Sequence, residues 1–197
     1  MSIAVWYNCA MNNEPVKFVY FPRSSGTFLS KNYLNMTGVE VEHSHDLNIL
    51  DGLRSVVILR NPFDCILSTA IDQYIKNYDS NKTTAEYLRE ATNYYNDFHK
   101  TVEKHGWPVL ITFEMSVFST HATCRMLSNI FNNNYNEGVG IILADKPENT
   151  FIPTATASPA YEIFRDELSR LDLSRSFEIY SRLLKRVTYN NSDTISI

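Results

Sequence analysis

No C-x-x-C pair occurs in the chain, and its three cysteines, Cys9, Cys65 and Cys124, are an odd number set far apart. That argues against both a cysteine zinc site and a disulfide framework, and fits reduced thiols inside a cell. No apolar stretch approaches the roughly 20 residues of a membrane-spanning helix. The N-terminus also lacks a basic region followed by an apolar core. Together these absences set the expectation of a cytoplasmic protein without a membrane partner. A formal net charge of −4 provides no basis for a nucleic-acid surface, although it leaves room for a local basic pocket. A Walker-type G-x-x-x-x-G-K-[ST] loop is missing, which argues against ordinary nucleotide hydrolysis. His43 and His45 stand close together but lack a third ligand, so no metal is expected. There is no internal repeat and no long linker.

What is present is core material. The chain is 44% hydrophobic and 13% aromatic over 197 residues, enough for one compact domain spanning 1–197. A domain of this size buries roughly 70% of the surface its unfolded chain exposes. Apolar runs of strand length alternate with segments of helical period. The first strand begins at Val16 and is followed by a helix over Thr27–Met36 and a short strand over Val39–Glu42. A loop over His43–Arg54 leads to a strand over Ser55–Leu59 and a helix from Pro62 to about Tyr78. A helix over Thr83–His105, ended by Gly106, precedes a strand over Pro108–Phe113 and a helix over Ser119–Phe131. Asn132–Ser158 reads as loop with a candidate strand at Val139–Leu143, and Pro159–Val187 as helix broken near Asp172. Such alternation predicts an α/β fold, a parallel sheet with helices on both faces.

Two strand-to-helix junctions carry chemistry. Residues 56–68 read VVILRNPFDCILS, an apolar strand followed by a cation and a helix start. Asn61 is suited to cap that helix, Pro62 to open it, and Asp64 to face its dipole. Arg60, fixed at the strand end, offers a planar bidentate fork, and Ser68 adds a hydroxyl two turns on. Residues 16–29 read VKFVYFPRSSGTFL, a strand, a small polar loop and a helix. Backbone N–H groups in such a loop, with the helix N-terminus behind them, form an anion cradle. Arg23 contributes charge there, and Ser24, Ser25 and Thr27 contribute hydroxyls. In an open parallel sheet, ligands bind beyond the carboxyl ends of the strands, which is where Arg23, His45 and Arg60 fall.

These segments resemble the sulfotransferases that use 3′-phosphoadenosine 5′-phosphosulfate (PAPS). Phe21-Pro22-Arg23-Ser24-Ser25-Gly26-Thr27-Phe28-Leu29 is similar to that family's 5′-phosphosulfate loop, Y-P-K/R-S-G-T-T-W/F. Arg60-Asn61-Pro62-x-Asp64-x-x-x-Ser68 matches every named position of its 3′-phosphate motif, R-N-P-x-D-x-x-x-S. His43-Ser44-His45 stands where cytosolic-type members carry K-T-H, and Ile111-Thr112-Phe113-Glu114-Met115 resembles the family's YEDL segment. The resemblance runs in order from about residue 16 to residue 131, and the 3′-phosphate motif is its most specific part.

The resemblance implies a P-loop-like fold and transfer of a sulfuryl group to a hydroxyl or amine of a small-molecule or glycan acceptor. His45 would be the general base, with His43 and Glu114 as alternatives. Arg23 would stabilise the leaving phosphate. Ser24, Ser25, Gly26, Thr27 and the loop amides would hold the 5′-phosphate, Phe28 would stack on adenine, and Arg60 with Ser68 would hold the 3′-phosphate. The bound product would be adenosine 3′,5′-bisphosphate, with no metal required.

The match is not complete. Ser25 stands where the family has Gly and Gly26 where it has Thr, which moves the expected tight turn along by one residue. No counterpart of the family's C-terminal R-K-G segment is present, and the chain is shorter than typical members, so reduced acceptor loops are expected. A P-loop kinase and a non-catalytic nucleotide-binding relative remain as alternatives. The stripe of Tyr87, Tyr94, Tyr95 and Phe98 is expected to pack, or else to line an acceptor cleft. Arg182, Lys185 and Arg186 are expected on a solvated helix face.

Overall fold

Strands β1 (Val16–Tyr20), β2 (Val41–Ser44), β3 (Ser55–Leu59) and β4 (Val109–Thr112) form one parallel sheet in the order β2-β1-β3-β4. The computed structural model describes residues 15–22, 24–49, 54–105, 108–142 and 158–187. In the register, Phe18 lies opposite His43 on one side and Val56 on the other, and Val57 lies opposite Leu110. The interior strands are apolar on both faces, as parallel strands covered by helices must be. All five residues of β3 are buried.

Strand alternation divides the core in two. Val16, Phe18, Tyr20, Val56, Ile58 and Ile111 face one layer, made by α1 (Gly26–Thr37) and α5 (Thr120–Ile130). Val19, Phe21, Val57, Leu59 and Leu110 face the other. That layer holds α2 (Pro62–Lys76), α3 (Thr84–Lys104), α6 (Tyr161–Leu168) and α7 (Ser174–Leu184). The chain therefore leaves β1 toward one face and the adjacent β3 toward the opposite face. Divergence of neighbouring connections opens a crevice at the carboxyl ends of those two strands.

Local signals set the helix ends, and at α2 they are the expected ones. Asn61 Oδ1 accepts from Phe63 N at 2.9 Å, with Pro62 and Asp64 in the first turn of α2. Thr83 and Glu86 form a capping box, each side chain taking the other's backbone N–H. Gly38 ends α1 in the left-handed region, where its N–H reaches Leu34 O at 2.8 Å. The expected break near Asp172 separates α6 from α7. Tyr87, Tyr95 and Phe98 are buried as packing residues, whereas Tyr94 remains partly open.

Several details differ from the sequence reading. Strand β2 runs through to Ser44, so His43 is a strand residue, because pairing with β1 extends through Val19 opposite Ser44. Phe113 opens α4 (Phe113–Phe118) instead of ending β4, because Thr112 Oγ1 caps Met115 N. Arg186 is no simple solvated cation: its guanidinium donates to Glu103 O and His105 O at the end of α3, where Arg182 also pairs with Glu103. Val139–Ile142 form no strand, and Leu143 lies outside the described residues, as do Cys9 and Gly106. This segment runs alongside α1. Asn35 Nδ2 donates to Gly140 O at 3.1 Å, and Asn32 donates to Ile142 O at 3.1 Å while accepting from Ile142 N at 2.8 Å. Among the described residues, no helix is long and apolar enough to cross a membrane.

His99 is a titratable side chain enclosed within the core. Fully buried, it stacks on Tyr95 at 3.9 Å between ring centroids, and its Nδ1 donates to Tyr95 O at 2.8 Å. Its Nε2 has no hydrogen-bond partner among the described residues. Burial pushes its pKa down to about 4, because a charged imidazole has no solvation in that site.

Two predictions follow from these buried polar groups. Asn32→Ala leaves the Ile142 amide and carbonyl unpaired and should cost about 1–3 kcal/mol, seen as a lower urea midpoint at unchanged slope. In the acid limb, the unfolded chain takes up a proton at His99 more readily than the folded one. The stability it contributes is therefore complete above pH ~6.5 and is lost as the pH falls toward about 4, a change of about 3 kcal/mol. His99→Phe should flatten that part of the urea-midpoint profile relative to the unaltered protein.

Candidate functional site at the carboxyl ends of the strands

The loop after β1 is shaped by a close approach. Tyr20, the last residue of β1, lays its ring over Gly26, where a Cβ would meet the ring carbons at 1.8–2.1 Å. Only glycine fits at that point. Ser25 adopts φ 63°, ψ 14°, so the left-handed turn sits at Ser25 itself and is not carried to the next residue. Its hydroxyl donates to Ser24 O at 2.5 Å and also meets the Ser116 hydroxyl of α4. Ser24 is buried, its Oγ 3.6 Å from Cys65 Sγ, while the thiol donates to Pro22 O. The loop is thus laced to α2 through Cys65 and to α4 through Ser116. Burial pushes the Cys65 thiol up to about 12, against the pull of the Ser24 hydrogen bond and the Arg60 charge, so it stays protonated.

Of the loop residues named from sequence, Thr27 is exposed and Phe28 half-buried in the first turn of α1. The helix start directs its positive dipole end and first-turn amides toward this end of the sheet. Arg23 lies outside the described residues.

His45 follows β2 and is brought to the same end. Its Nδ1 lies 2.7 Å from Tyr20 O, a carbonyl that can only accept. The proton must therefore reside on Nδ1, which leaves the Nε2 lone pair as the basic atom of the neutral ring. The Tyr20 ring meets the His45 ring edge-on at 4.7 Å, and His43 stacks on the other part of Tyr20 at 6.4 Å. Both imidazoles are solvent-accessible. Tyr20 also joins this group to the loop, since its hydroxyl bonds Thr27 Oγ1 at 2.8 Å.

Arg60 directly follows β3, at the same end of the parallel sheet. Its guanidinium covers the Phe113 ring at 4.5 Å from the centroid, and its carbonyl accepts the Tyr95 hydroxyl at 3.1 Å. The side chain is half-buried and held on an aromatic platform, a setting that favours the planar guanidinium over an ammonium. Ser68, two turns into α2, is buried at 3% exposure. Glu114 is exposed in the first turn of α4.

The structure therefore gathers Thr27, His45 and Arg60 at one end of the sheet, while Ser24, Ser25 and Ser68 are engaged inside the fold. Three contributors escape a sequence reading. Tyr20 looks like an ordinary strand residue, although its alternation with Val16 and Phe18 places it on the α1 face. Phe113 directly follows β4, a position that any strand end would deliver. Tyr180 of α7 carries no sequence signal; burial, and then the charges of Glu114 and Asp64, push its phenol up to about 12.

Neither a protein-family model, nor a curated protein, nor a solved structure matches this chain.

Gly26→Ala should be severely destabilising or non-folding, because the ring of Tyr20 has no room to retreat from a new methyl group; overpacking of this kind costs about 1–3 kcal/mol or more. A thermal melt checks it. The double change Gly26→Ala with Tyr20→Ala should recover part of the loss attributable to the clash.

Proposed function

We propose that the chain is a PAPS-dependent sulfotransferase with a P-loop-like α/β fold, His45 being the general base. The observation that supports this best is the His45–Tyr20 hydrogen bond, which leaves Nε2 basic at the same end of the sheet as the Thr27 loop and Arg60. The order of these groups along the chain also follows the sulfotransferase motifs. In the reaction, His45 Nε2 accepts the proton of the acceptor hydroxyl or amine as that atom attacks sulfur. The sulfur–oxygen bond to the 5′-phosphate breaks in line, and adenosine 3′,5′-bisphosphate leaves. Amides at the start of α1, Thr27 and Arg23 balance the charge gathering on the 5′-phosphate. Arg60 and Ser68 take the 3′-phosphate. No metal has a role in this scheme, and the acceptor is a small molecule or glycan.

A second reading has one observation in its favour. Ser24 and Ser25 spend their hydroxyls on Cys65 and Ser116, which suits a relative that binds a nucleotide without transferring a group. Thermal stabilisation separates the possibilities, since a ligand of the folded state raises the melting temperature by mass action. Adenosine 3′,5′-bisphosphate should raise it, and 5′-AMP and ATP–Mg²⁺ should not. A shift with ATP–Mg²⁺ alone would instead indicate a kinase. With an acceptor found by screening against PAPS, His45→Ala should lower transfer by about 10²–10⁴-fold while bisphosphate affinity is retained. Unchanged transfer would remove His45 from the role of base.

A further inference from the structure

We propose that Tyr20, which lies outside the motif beginning at Phe21, is a positioning residue that commits the Thr27 hydroxyl to donate to a bound anion. The inference rests on the reading of the β1–α1 loop as an anion site. Its ground is the set of contacts that converge on one residue. The Tyr20 ring covers Gly26, its carbonyl accepts from His45 Nδ1, and its hydroxyl lies 2.8 Å from Thr27 Oγ1.

Two hydroxyls in contact share their protons in only one of two directions. If Thr27 donated to Tyr20, it would turn lone pairs toward an anion at the helix start and repel it. If Tyr20 donates, the Thr27 proton is available to the anion, and the chain runs Tyr20 O–H to Thr27 O–H to anion. Each donation polarises the next, which strengthens the last bond where the surroundings are poorly solvated. Tyr20 is 4% exposed, whereas Thr27 is open to solvent, so the inner hydroxyl is fixed and the outer one meets the ligand. Burial also pushes the Tyr20 phenol above its ordinary range, so it keeps the proton it must give. Through its carbonyl the same residue fixes the tautomer of His45. One strand residue thereby sets a donor on the loop and a base beside it.

A double-mutant cycle tests this, with the dissociation constant of adenosine 3′,5′-bisphosphate measured by calorimetry on the full chain. Tyr20→Phe keeps the ring over Gly26 and the carbonyl on His45, and removes only the phenol. It should weaken binding by about five- to tenfold, the size of one lost hydrogen bond. Thr27→Val should weaken binding at least as much, and Thr27→Ser should bind as the unaltered protein does. In the Thr27→Val background, Tyr20→Phe should have no further effect, because the phenol acts only through that hydroxyl. A purely structural role for Tyr20 would multiply the two losses and overturn the proposal, as would undiminished binding by Tyr20→Phe. Should Tyr20→Phe fold poorly, equal affinity of Thr27→Val and Thr27→Ser, both at an exposed position, would overturn it as well. Failure of the unaltered protein to bind the bisphosphate would overturn the sulfotransferase reading and this inference with it. That outcome is recognised without any variant.

Discussion

The end of the molecule where its polar side chains converge is organised by the contact between the Tyr20 ring and Gly26. An aromatic ring laid flat over the first residue of α1 forbids any side chain there and brings the helix start against the strand that precedes it. The turn needed for that approach is made by Ser25 in a left-handed conformation, which costs an L-residue roughly 1–2 kcal/mol and is offset by its hydrogen bonds to Ser24 and Ser116. Once the ring is in place, its hydroxyl reaches Thr27 and its carbonyl reaches His45. Loop, helix start and imidazole are thus positioned by one residue of the sheet.

The sheet makes this convergence possible. With β1 between β2 and β3, the connections from β1 and β3 depart to opposite faces, and the loops following three adjacent strands meet at one end. Arg60 is carried there by β3, a strand with no exposed residue and so little freedom to shift. Its guanidinium then rests on Phe113, the first residue of α4. The crevice is not an open bowl, however, because Cys65 and Ser116 bind the β1–α1 loop from α2 and α4.

Two histidines show how placement decides chemistry. Both His45 and His99 have Nδ1 against a backbone carbonyl, which leaves Nε2 as the lone-pair atom. His99 is enclosed by Phe21, Tyr95 and Phe98, so its lone pair meets neither ligand nor solvent and its charged form is suppressed. His45 lies at the surface, where the same atom is accessible to an incoming proton donor. The side chain and tautomer are shared, and the two rings differ in their access to solvent.

Much of the architecture was legible in the chain itself. Alternating apolar runs and helical periods indicated a parallel sheet covered on both faces, and Asn61-Pro62 and Asp172 marked helix boundaries. Those signals act over a few residues, so no tertiary context is needed to read them. The segments 21–29 and 60–68 that carry the resemblance both lie at the carboxyl ends of strands, as their place after β1 and β3 requires. Only the tertiary structure decided which hydroxyls face outward. Ser24, Ser25 and Ser68 read alike with Thr27 in sequence, yet contacts from distant residues such as Cys65 and Ser116 turn the first two inward, and helix packing covers the third. It also decided the tautomer of His45 and the platform under Arg60, because each depends on residues far apart in the chain that meet only when the strands align.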